Sequence, residues 1–288
     1  MSEPASVEAV EEQHTSRSGS GAPTATVVGV PVTALGFKDH VSLICKWAQG
    51  APTGRIVCVA NVHMLVEAQR HRRFRGLLHR ADLVTPDGMP LVWVMRSSRA
   101  PRQHRVAGMD LLPALCSVAE RRRIPVYFLG STEAVLGHMR KRLRAEHPQL
   151  SIVGMESPPF RPLTDEEDNA LVRRINASGA RIVFVSLGCP KQERWMHSHR
   201  KRIGAVMVGV GGAFPVYAGL QRRAPRLLRF LGLEWFYRLA REPRRLWKRY
   251  LITNFLFCYY VVRDAWFIRN RRRSRRASPF GPVGRGGP

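Results

Sequence analysis

The chain has 288 residues, of which 44% are hydrophobic, enough for one large globular domain or two small ones. It carries 47 Lys and Arg against 21 Asp and Glu, a formal net charge of +26, which favours a polyanionic partner, either nucleic acid or an anionic lipid surface. The five cysteines are scattered, without a CxxC pair or a Cys/His cluster, which argues against a disulfide framework or a zinc site.

The ends of the chain differ in composition from the part between them. Residues 1–23 are rich in Ser, Gly, Glu and Ala without the apolar core of a signal peptide, and they predict a disordered tail. Residues 271–288 predict a second, basic, disordered tail. We expect a catalytic α/β domain over residues 24–220 and a helical appendage over residues 221–270.

In the first domain, apolar runs rich in β-branched residues alternate with helical segments. Strands are predicted at residues 55–60, 81–84, 125–129, 151–154, 181–187 and 205–210. Helices are predicted at residues 61–78, 106–123, 134–146 and 165–178, the last preceded by a capping box of Thr164 and Glu167. This alternation predicts a Rossmann-like fold, with a mostly parallel sheet, flanking helices and a ligand site beyond the carboxyl ends of the strands.

The appendage has a different character. Its two predicted helices, residues 227–241 and 244–269, are separated by Pro243 and rich in Trp, Tyr, Phe and Arg. The uncharged stretch 250–262 is shorter than the roughly 20 residues of a transmembrane helix, but it is long enough to lie on a membrane surface. Aromatic anchors with flanking arginines fit an anionic membrane, and packing onto the core or onto a partner subunit is the alternative. The predicted anchors are Leu246, Trp247, Tyr250, Leu251, Phe255, Phe257, Tyr259, Trp266 and Phe267.

Two loops suggest where chemistry takes place. Thr85-Pro86-Asp87-Gly88 follows a predicted strand, and Asp87 is either part of a plain turn or a general base for an attacking hydroxyl. Gly130 and Ser131 lie between a strand and a helix, where free N–H groups and the helix dipole favour a phosphate, unless the segment is only a helix cap.

Two further loops are rich in glycine or in polar residues. After Gly188, Lys191 is positioned to contact a phosphate and Gln192 to bond a sugar hydroxyl or a base edge, unless this is an ordinary solvated helix start. Gly211 and Gly212 allow a ligand to approach the backbone closely, although the spacing is weak evidence for NAD. The sequence has no DxD pair and no P-loop, so cationic side chains such as Arg223, Arg238 and Arg244 are expected to stabilise a departing diphosphate.

Taken in order, these segments resemble the WecG/TagA/CpsF family of bacterial glycosyltransferases. The matching residues are 61–65, 81–88, 106–110, 128–131, 185–193, 209–214, Gly219, 223–225, 233–239 and 242–245, within a match over about residues 26 to 252. The resemblance implies a Rossmann-like core whose C-terminal appendage associates peripherally with the cytoplasmic face of the bacterial plasma membrane. It makes Asp87 the expected catalytic base and Gln192 a residue of the pocket, with Asn61, Thr85, Gly88 and Gly108 as further substrate-binding positions.

The resemblance also implies the reaction. Family members are inverting, metal-independent enzymes that need no cofactor. They transfer a sugar, often of the N-acetylmannosamine type, from a UDP-sugar to an undecaprenyl-diphosphate-linked sugar, for polysaccharides or teichoic-acid-type polymers of the cell envelope. This chain has Val59 where some members have Thr, which bears on the identity of the sugar, whether N-acetylmannosamine-type or another hexose. Self-association into a homo-oligomer is compatible with the sequence.

Two other functional classes were weighed. A nucleic-acid-binding protein would explain the positive charge, but it gives no role to the Pro-Asp-Gly and Lys-Gln-Glu loops. An NAD-dependent enzyme should carry GxGxxG followed by an acidic residue, and that pattern is missing. The sequence therefore predicts a transferase that has no nucleic acid among its binding partners.

Overall fold

The computed structural model describes residues 21–98, 100–230 and 232–276. The strands are β1 (Thr24–Val27), β2 (Val30–Thr33), β3 (Ile56–Ala60), β4 (Leu83–Pro86), β5 (Val126–Gly130), β6 (Ile152–Glu156), β7 (Ile182–Ser186) and β8 (Val206–Gly209). An antiparallel hairpin joins β1 and β2. The other six strands form one sheet in the order β4-β3-β8-β7-β5-β6, with every neighbouring pair parallel. The predicted Rossmann-like α/β architecture is confirmed.

The helices of the α/β domain flank this sheet. They are α1 (Phe37–Gln49), α2 (Val62–Arg70), α3 (Arg72–Arg80), α4 (Met89–Ser97), α5 (Gly108–Arg121), α6 (Glu133–Glu146), α7 (Asp165–Ala177), α8 (Lys191–Ser198) and α9 (Ala213–Tyr217). The capping box predicted at Thr164 and Glu167 is present at the start of α7. The single helix predicted over residues 61–78 is wrong, because extended backbone at His71, with φ −128°, divides it into α2 and α3.

Both faces of the sheet are buried, which explains the continuous apolar runs in the sequence. Along β3, Ile56, Cys58 and Ala60 join one buried cluster, while Val57 and Val59 join the cluster on the opposite face. On that second face the Phe128 and Phe184 rings stack with centroids 5.1 Å apart. The strands are therefore held in place from both sides, and this packing also fixes the positions at which the loops begin.

Three helices follow the α/β domain: α10 (Arg226–Phe230), α11 (Glu234–Arg241) and α12 (Pro243–Arg276). The predicted helix 227–241 is therefore two helices, and Pro243 is the first residue of α12, a position that proline favours. Because α12 continues to Arg276, the predicted tail starting at residue 271 begins too early, and residues 277–288 lie outside the described residues. At the other end, Ala22 is buried within the predicted N-terminal tail, of which residues 1–20 are also outside the described residues.

One side of α12 packs against α2. Leu246 and Phe257 are buried, Tyr250 is half-buried, and an Arg263 Nη2 atom lies 3.4 Å from Gln69 Oε1 on α2. The prediction that Leu246 and Phe257 are membrane anchors is wrong, because both side chains pack inward. Among the described residues, no helix combines the length and the apolar character needed to cross a bilayer.

Candidate active site

Five of the predicted site residues lie at the carboxyl ends of the strands, because all six strands point the same way. Asn61 follows β3, Asp87 follows β4, Gly188 follows β7 and Gly211 follows β8, while Gly130 is the last residue of β5. This is the edge at which parallel α/β sheets bind ligands.

The turn that carries Asp87 is held by backbone hydrogen bonds. Asp87 N–H donates to the carbonyl of Ala60 at 2.7 Å, which ties the end of β4 to the end of β3. Gly88 adopts φ +120°, a conformation that favours glycine. Thr85 is buried, and its Oγ1 donates to the carbonyl of Val106 at 3.1 Å. Thr85 thus braces the turn, and the carboxyl group of Asp87 is held in a fixed position.

Charged side chains surround this carboxyl group. Arg105 pairs with Glu234 of α11 at 2.5 Å and approaches Asp110 of α5 at 3.5 Å. Arg223 pairs with the same Asp110 at 2.7 Å. We call Asp87, Arg105, Asp110, Arg223 and Glu234 the Asp87 cluster. Since Glu234 belongs to the appendage, the appendage contributes directly to the surroundings of Asp87.

The pKa of Asp87 is raised to about 6. Removal of the half-buried carboxyl from water is the largest cause, Arg105 opposes it, and the charges of Glu234 and Asp110 add to the rise. The backbone N–H of Gly108 is hydrogen-bonded to the carboxyl group and lowers the pKa. A base with a pKa near neutrality can accept a proton from a hydroxyl group and later release it.

Gly108 connects Asp87 to the glycine-lined part of the edge. A Cβ atom on Gly108 would lie 2.9 Å from the carbonyl oxygen of Val210, so only glycine allows α5 to approach the end of β8 this closely. Val210 is followed by Gly211, one of the predicted substrate-binding residues. Gly108 therefore brings the start of α5, next to Asp87, against the segment that carries Gly211.

The turns that follow β5, β7 and β8 are joined by hydrogen bonds. Ser131 N–H donates to the carbonyl of Ser186 at 3.1 Å, and Ser186 Oγ donates to the carbonyl of Gly211 at 2.6 Å. Gly130 adopts φ +113°, and a Cβ atom there would lie 2.5 Å from the Ser186 carbonyl oxygen. We call residues 130–131, 186–188 and 209–212 the glycine-lined turns. Glycine at position 130 therefore lets the turn after β5 pack directly against the turn after β7.

Gln192 is engaged inside the protein. Its side chain is buried, its Oε1 accepts from Gly211 N–H at 3.2 Å, and its Nε2 donates to Glu193 Oε1 at 2.7 Å. The role predicted from the sequence was a bond to a sugar hydroxyl or a base edge. In this structure the amide oxygen instead bonds the turn that bears Gly211, and the amide nitrogen bonds Glu193. The neighbouring Lys191 is exposed on the first turn of α8.

The remaining predicted residues have varied positions. Asn61 caps α2 by accepting from Met64 N–H at 3.1 Å. Gly188 and Gly212 are exposed in their turns, and Arg244 is exposed on the first turn of α12. Arg238 lies on α11, but its side chain is outside the described part of the structure. Of the three arginines predicted to meet a diphosphate, Arg223 is the one found in the Asp87 cluster.

A cavity of about 240 Å³ lies beside the Asp87 cluster. It is enclosed by the start of α5, the segment after α9, and α11, and its lining includes Met109, Arg222, Arg223, Glu234 and Tyr237. Sequence reasoning missed Arg105, Asp110 and Glu234 as site residues. The available signal was that Asp110 and Glu234 lie inside the motifs of residues 106–110 and 233–239, close in sequence to basic residues.

The sequence matches a known protein family. The model of the glycosyl transferase WecG/TagA/CpsF family matches residues 25–271. The chain belongs to this family. This WecG/TagA/CpsF transferase is therefore an enzyme of cell-surface polymer biosynthesis, with a sugar donor and an acceptor as substrates. The matched range extends through α10, α11 and most of α12, so the appendage is part of the family's domain.

No group of three or more His, Cys, Asp or Glu side chains among the described residues of the WecG/TagA/CpsF transferase is arranged to hold a metal ion. The cavity is lined by Arg223 and Glu234 of the Asp87 cluster, whereas Asp87, Arg105 and the glycine-lined turns lie outside its lining. The Asp87 carboxyl, the guanidinium groups of Arg105 and Arg223 and the backbone amides of those turns are the polar groups at this end of the sheet. Such groups can accept a proton and bind an anion.

Proposed function

We propose that this enzyme is an inverting glycosyltransferase that moves a hexose, of the N-acetylmannosamine type or another, from UDP to a polyprenyl-diphosphate-linked sugar. It uses no metal and acts at the cytoplasmic face of the bacterial plasma membrane. The donor and acceptor classes rest on the family resemblance of the motifs together with membership in the WecG/TagA/CpsF family.

The observation that carries the proposal is the position of Asp87. Its carboxyl has a pKa of about 6, raised chiefly by burial, and it is hydrogen-bonded to Gly108, which contacts the end of β8 beside Gly211. A proton acceptor thus lies next to backbone suited to a nucleotide diphosphate. That pairing is what a direct displacement on a nucleotide-sugar requires.

In the proposed reaction, the acceptor hydroxyl attacks the anomeric carbon from the side opposite the nucleotide. The new bond joins the acceptor oxygen to that carbon, the bond from the carbon to the phosphate oxygen breaks, and the hydroxyl proton passes to Asp87. UDP leaves with the bonding electrons, and Arg105 and Arg223 of the Asp87 cluster stabilise its negative charge. One displacement inverts the configuration at the anomeric carbon.

The proposed membrane location is supported by the outer side of α12. A stripe of exposed side chains with helical spacing runs along it: Trp247, Leu251, Phe255, Tyr259, Val262 and Trp266. Phe255 is 73% exposed and Val262 is 68% exposed, which is unusual for apolar residues on a helix that packs against the protein. Arg244, Lys248 and Arg269 are exposed near the two ends of the stripe, as expected for contact with anionic headgroups.

The test of the reaction is a screen of UDP-sugars against a short polyprenyl-diphosphate-sugar acceptor, with a chelator present and the product identified by mass. We expect one UDP-sugar to give a product larger by one sugar residue. Asp87→Asn should lower turnover by at least about 100-fold, because a general base contributes roughly that much. Turnover of Asp87→Asn equal to that of the wild type would refute the assignment of the base, and the absence of transfer from every UDP-sugar would refute the donor class.

A further inference from the structure

A buried carboxyl group next to the site has no role in the reaction described above. Glu193 is the third residue of α8, and its side chain is fully buried. Its Oε1 accepts from Gln192 Nε2 at 2.7 Å. Its Oε2 has no hydrogen-bond partner within the described part of the chain.

The hydrogen bonds fix which way the Gln192 amide points. The N–H of Gly211 can only donate, so the amide oxygen must face it, and this contact is 3.2 Å long. The amide nitrogen must then point away from Gly211, and it needs an acceptor because it is buried. Glu193 Oε1 supplies that acceptor.

Gly211 is consequently held through both of its backbone polar groups. Its carbonyl accepts from Ser186 Oγ at 2.6 Å and its N–H donates to Gln192 Oε1. The peptide geometry here is unusual, since Gly211 adopts φ +54°. A Cβ atom on Gly209 would lie 3.1 Å from Gln192 Nε2, so the amide also packs closely under the turn.

We propose that Glu193 is a positioning residue that orients the Gln192 amide and thereby keeps the turn at residues 209–212 in the shape that binds the UDP part of the donor. This inference rests on the proposed function. Glu193 acts through Gln192 and touches neither substrate.

Stability alone does not account for this side chain. A buried carboxyl costs free energy that an apolar side chain of similar size would avoid, even with the Cys189 thiol and the Gln192 amide interacting with it. Burial raises the pKa of Glu193 to about 7, against the opposing effect of its bond to Gln192. Whether or not the group carries a proton, one oxygen remains able to accept from Gln192, so the orienting bond persists around neutral pH.

The experiment measures UDP binding by titration calorimetry and, separately, the KM for donor, the KM for acceptor and kcat. Glu193→Met removes the acceptor for Gln192 while filling the space, and we expect the Kd for UDP and the donor KM to rise about tenfold, the loss expected for one hydrogen bond. The acceptor KM should stay unchanged. Glu193→Gln keeps a carbonyl oxygen toward Gln192 and should restore UDP binding to within about threefold of the wild type.

Two further variants separate positioning from folding. Gln192→Leu should weaken UDP binding at least as much as Glu193→Met, and the double variant should be no worse than Gln192→Leu alone, because the two residues act in series. Ser198→Ala, on the exposed end of α8, is the matched control and should bind UDP normally. If Glu193→Met does not fold, binding by Glu193→Gln and by Gln192→Leu decides the question.

The outcomes are distinguishable. If the wild type binds UDP and either Glu193→Met or Gln192→Leu binds it equally tightly, the role of Glu193 is overturned. The proposed function then remains intact. Failure of the wild type to bind UDP would overturn the proposed function and this role with it. Lower thermal stability of Glu193→Met with unchanged UDP affinity would assign Glu193 to folding alone.

Discussion

Asp87 owes its properties to groups that are distant in the sequence. Burial raises its pKa, while Arg105 lies close enough to oppose that effect. Glu234 and Asp110 raise the pKa further, and each of them also pairs with a guanidinium group of the cluster. In the proposed reaction the carboxyl must be ionised to accept a proton, so we expect its pKa to set the lower limit of the active pH range.

The first prediction concerns that limit. The kcat/KM of the wild type should rise with pH through about 6, the pKa of Asp87, and level off above it. Glu234→Gln should shift this rise in kcat/KM to lower pH, because it removes a neighbouring negative charge and frees Arg105 to interact with Asp87. The measurement is kcat/KM across the pH range for both proteins.

Glu166→Gln is the control for this shift, because Glu166 is exposed on α7 and is not among the charges that act on Asp87. Its pH profile should match that of the wild type. If kcat/KM of Glu234→Gln rises at the same pH as that of the wild type, the electrostatic effect of the appendage on Asp87 is contradicted.

The second prediction concerns stability. The folded-state pKa of Asp87 lies above the ordinary aspartate value of 3.8, so the native state holds the proton more tightly than the unfolded chain does. The associated stabilisation is present below pH 3.8 and is lost as the pH rises through about 6. Asp87→Asn should therefore unfold at a higher temperature than the wild type above pH 6 and should lose that advantage in acid. Equal melting temperatures at neutral pH would contradict the burial of this carboxyl.

At the scale of single elements, α12 has two sides with different surroundings. Phe257 is 5% exposed and packs into the core with α2, whereas Phe255 is 73% exposed on the outer stripe. The two residues have the same chemistry and are two positions apart, so they form a matched pair. One side stabilises the fold, and the other is available to a membrane.

The third prediction uses this pair. Phe257→Ala should lower the free energy of unfolding by about 3 kcal/mol, as expected for a buried phenylalanine, measured by urea denaturation. Phe255→Ala should change it by less than about 0.5 kcal/mol, yet reduce sedimentation with anionic vesicles. A triple variant with Phe255→Ala, Tyr259→Ala and Trp266→Ala is the stronger test. If it binds vesicles as tightly as the wild type, the stripe does not contact the membrane.

The fourth prediction concerns two helical glycines. Gly108→Ala would place a Cβ atom 2.9 Å from the Val210 carbonyl oxygen and should push α5 away from β8, lowering both stability and turnover. Gly137→Ala, on α6, meets no atom within 4 Å and should stabilise the protein by up to about 1 kcal/mol without affecting turnover. Thermal unfolding and sugar-transfer rates check both variants, and normal turnover in Gly108→Ala would show that the contact is dispensable.

At the scale of the whole molecule, the proposed membrane association combines the net charge of +26 with the outer stripe of α12. Attraction of this kind between exposed charges is screened by salt, whereas apolar insertion is not. Deletion of residues 246 onward would not isolate the membrane contribution, because it would also remove the buried Leu246 and Phe257. Point substitutions on the exposed side of α12 are the cleaner variants.

The fifth prediction follows from this charge. Binding of the full chain to vesicles rich in anionic lipid should weaken as salt rises from about 0.05 M to about 0.5 M, and it should be weak at all salt concentrations for neutral vesicles. Sedimentation with each vesicle type measures it. Salt-sensitive binding to DNA but to no vesicle would instead support the nucleic-acid alternative.

The sequence by itself determined the parallel α/β sheet, because strands buried on both faces must be continuously apolar and must alternate with helices. It also determined the turn that carries Asp87 and the family, because each is encoded in contiguous residues. It could not decide the break at His71 or which side of α12 packs inward, since both depend on what lies opposite each residue.

The tertiary structure alone decided which charged side chains lie near Asp87. Arg105 and Asp110 are close in sequence, but Glu234 of α11 is 129 residues from Arg105, and that separation gives no sign that the two meet. It likewise turned Gln192 inward to hold Gly211, where local sequence suggested a side chain facing a sugar. Electrostatic fields and hydrogen-bond partners are set by distance in space, and that distance exists only once the chain has folded.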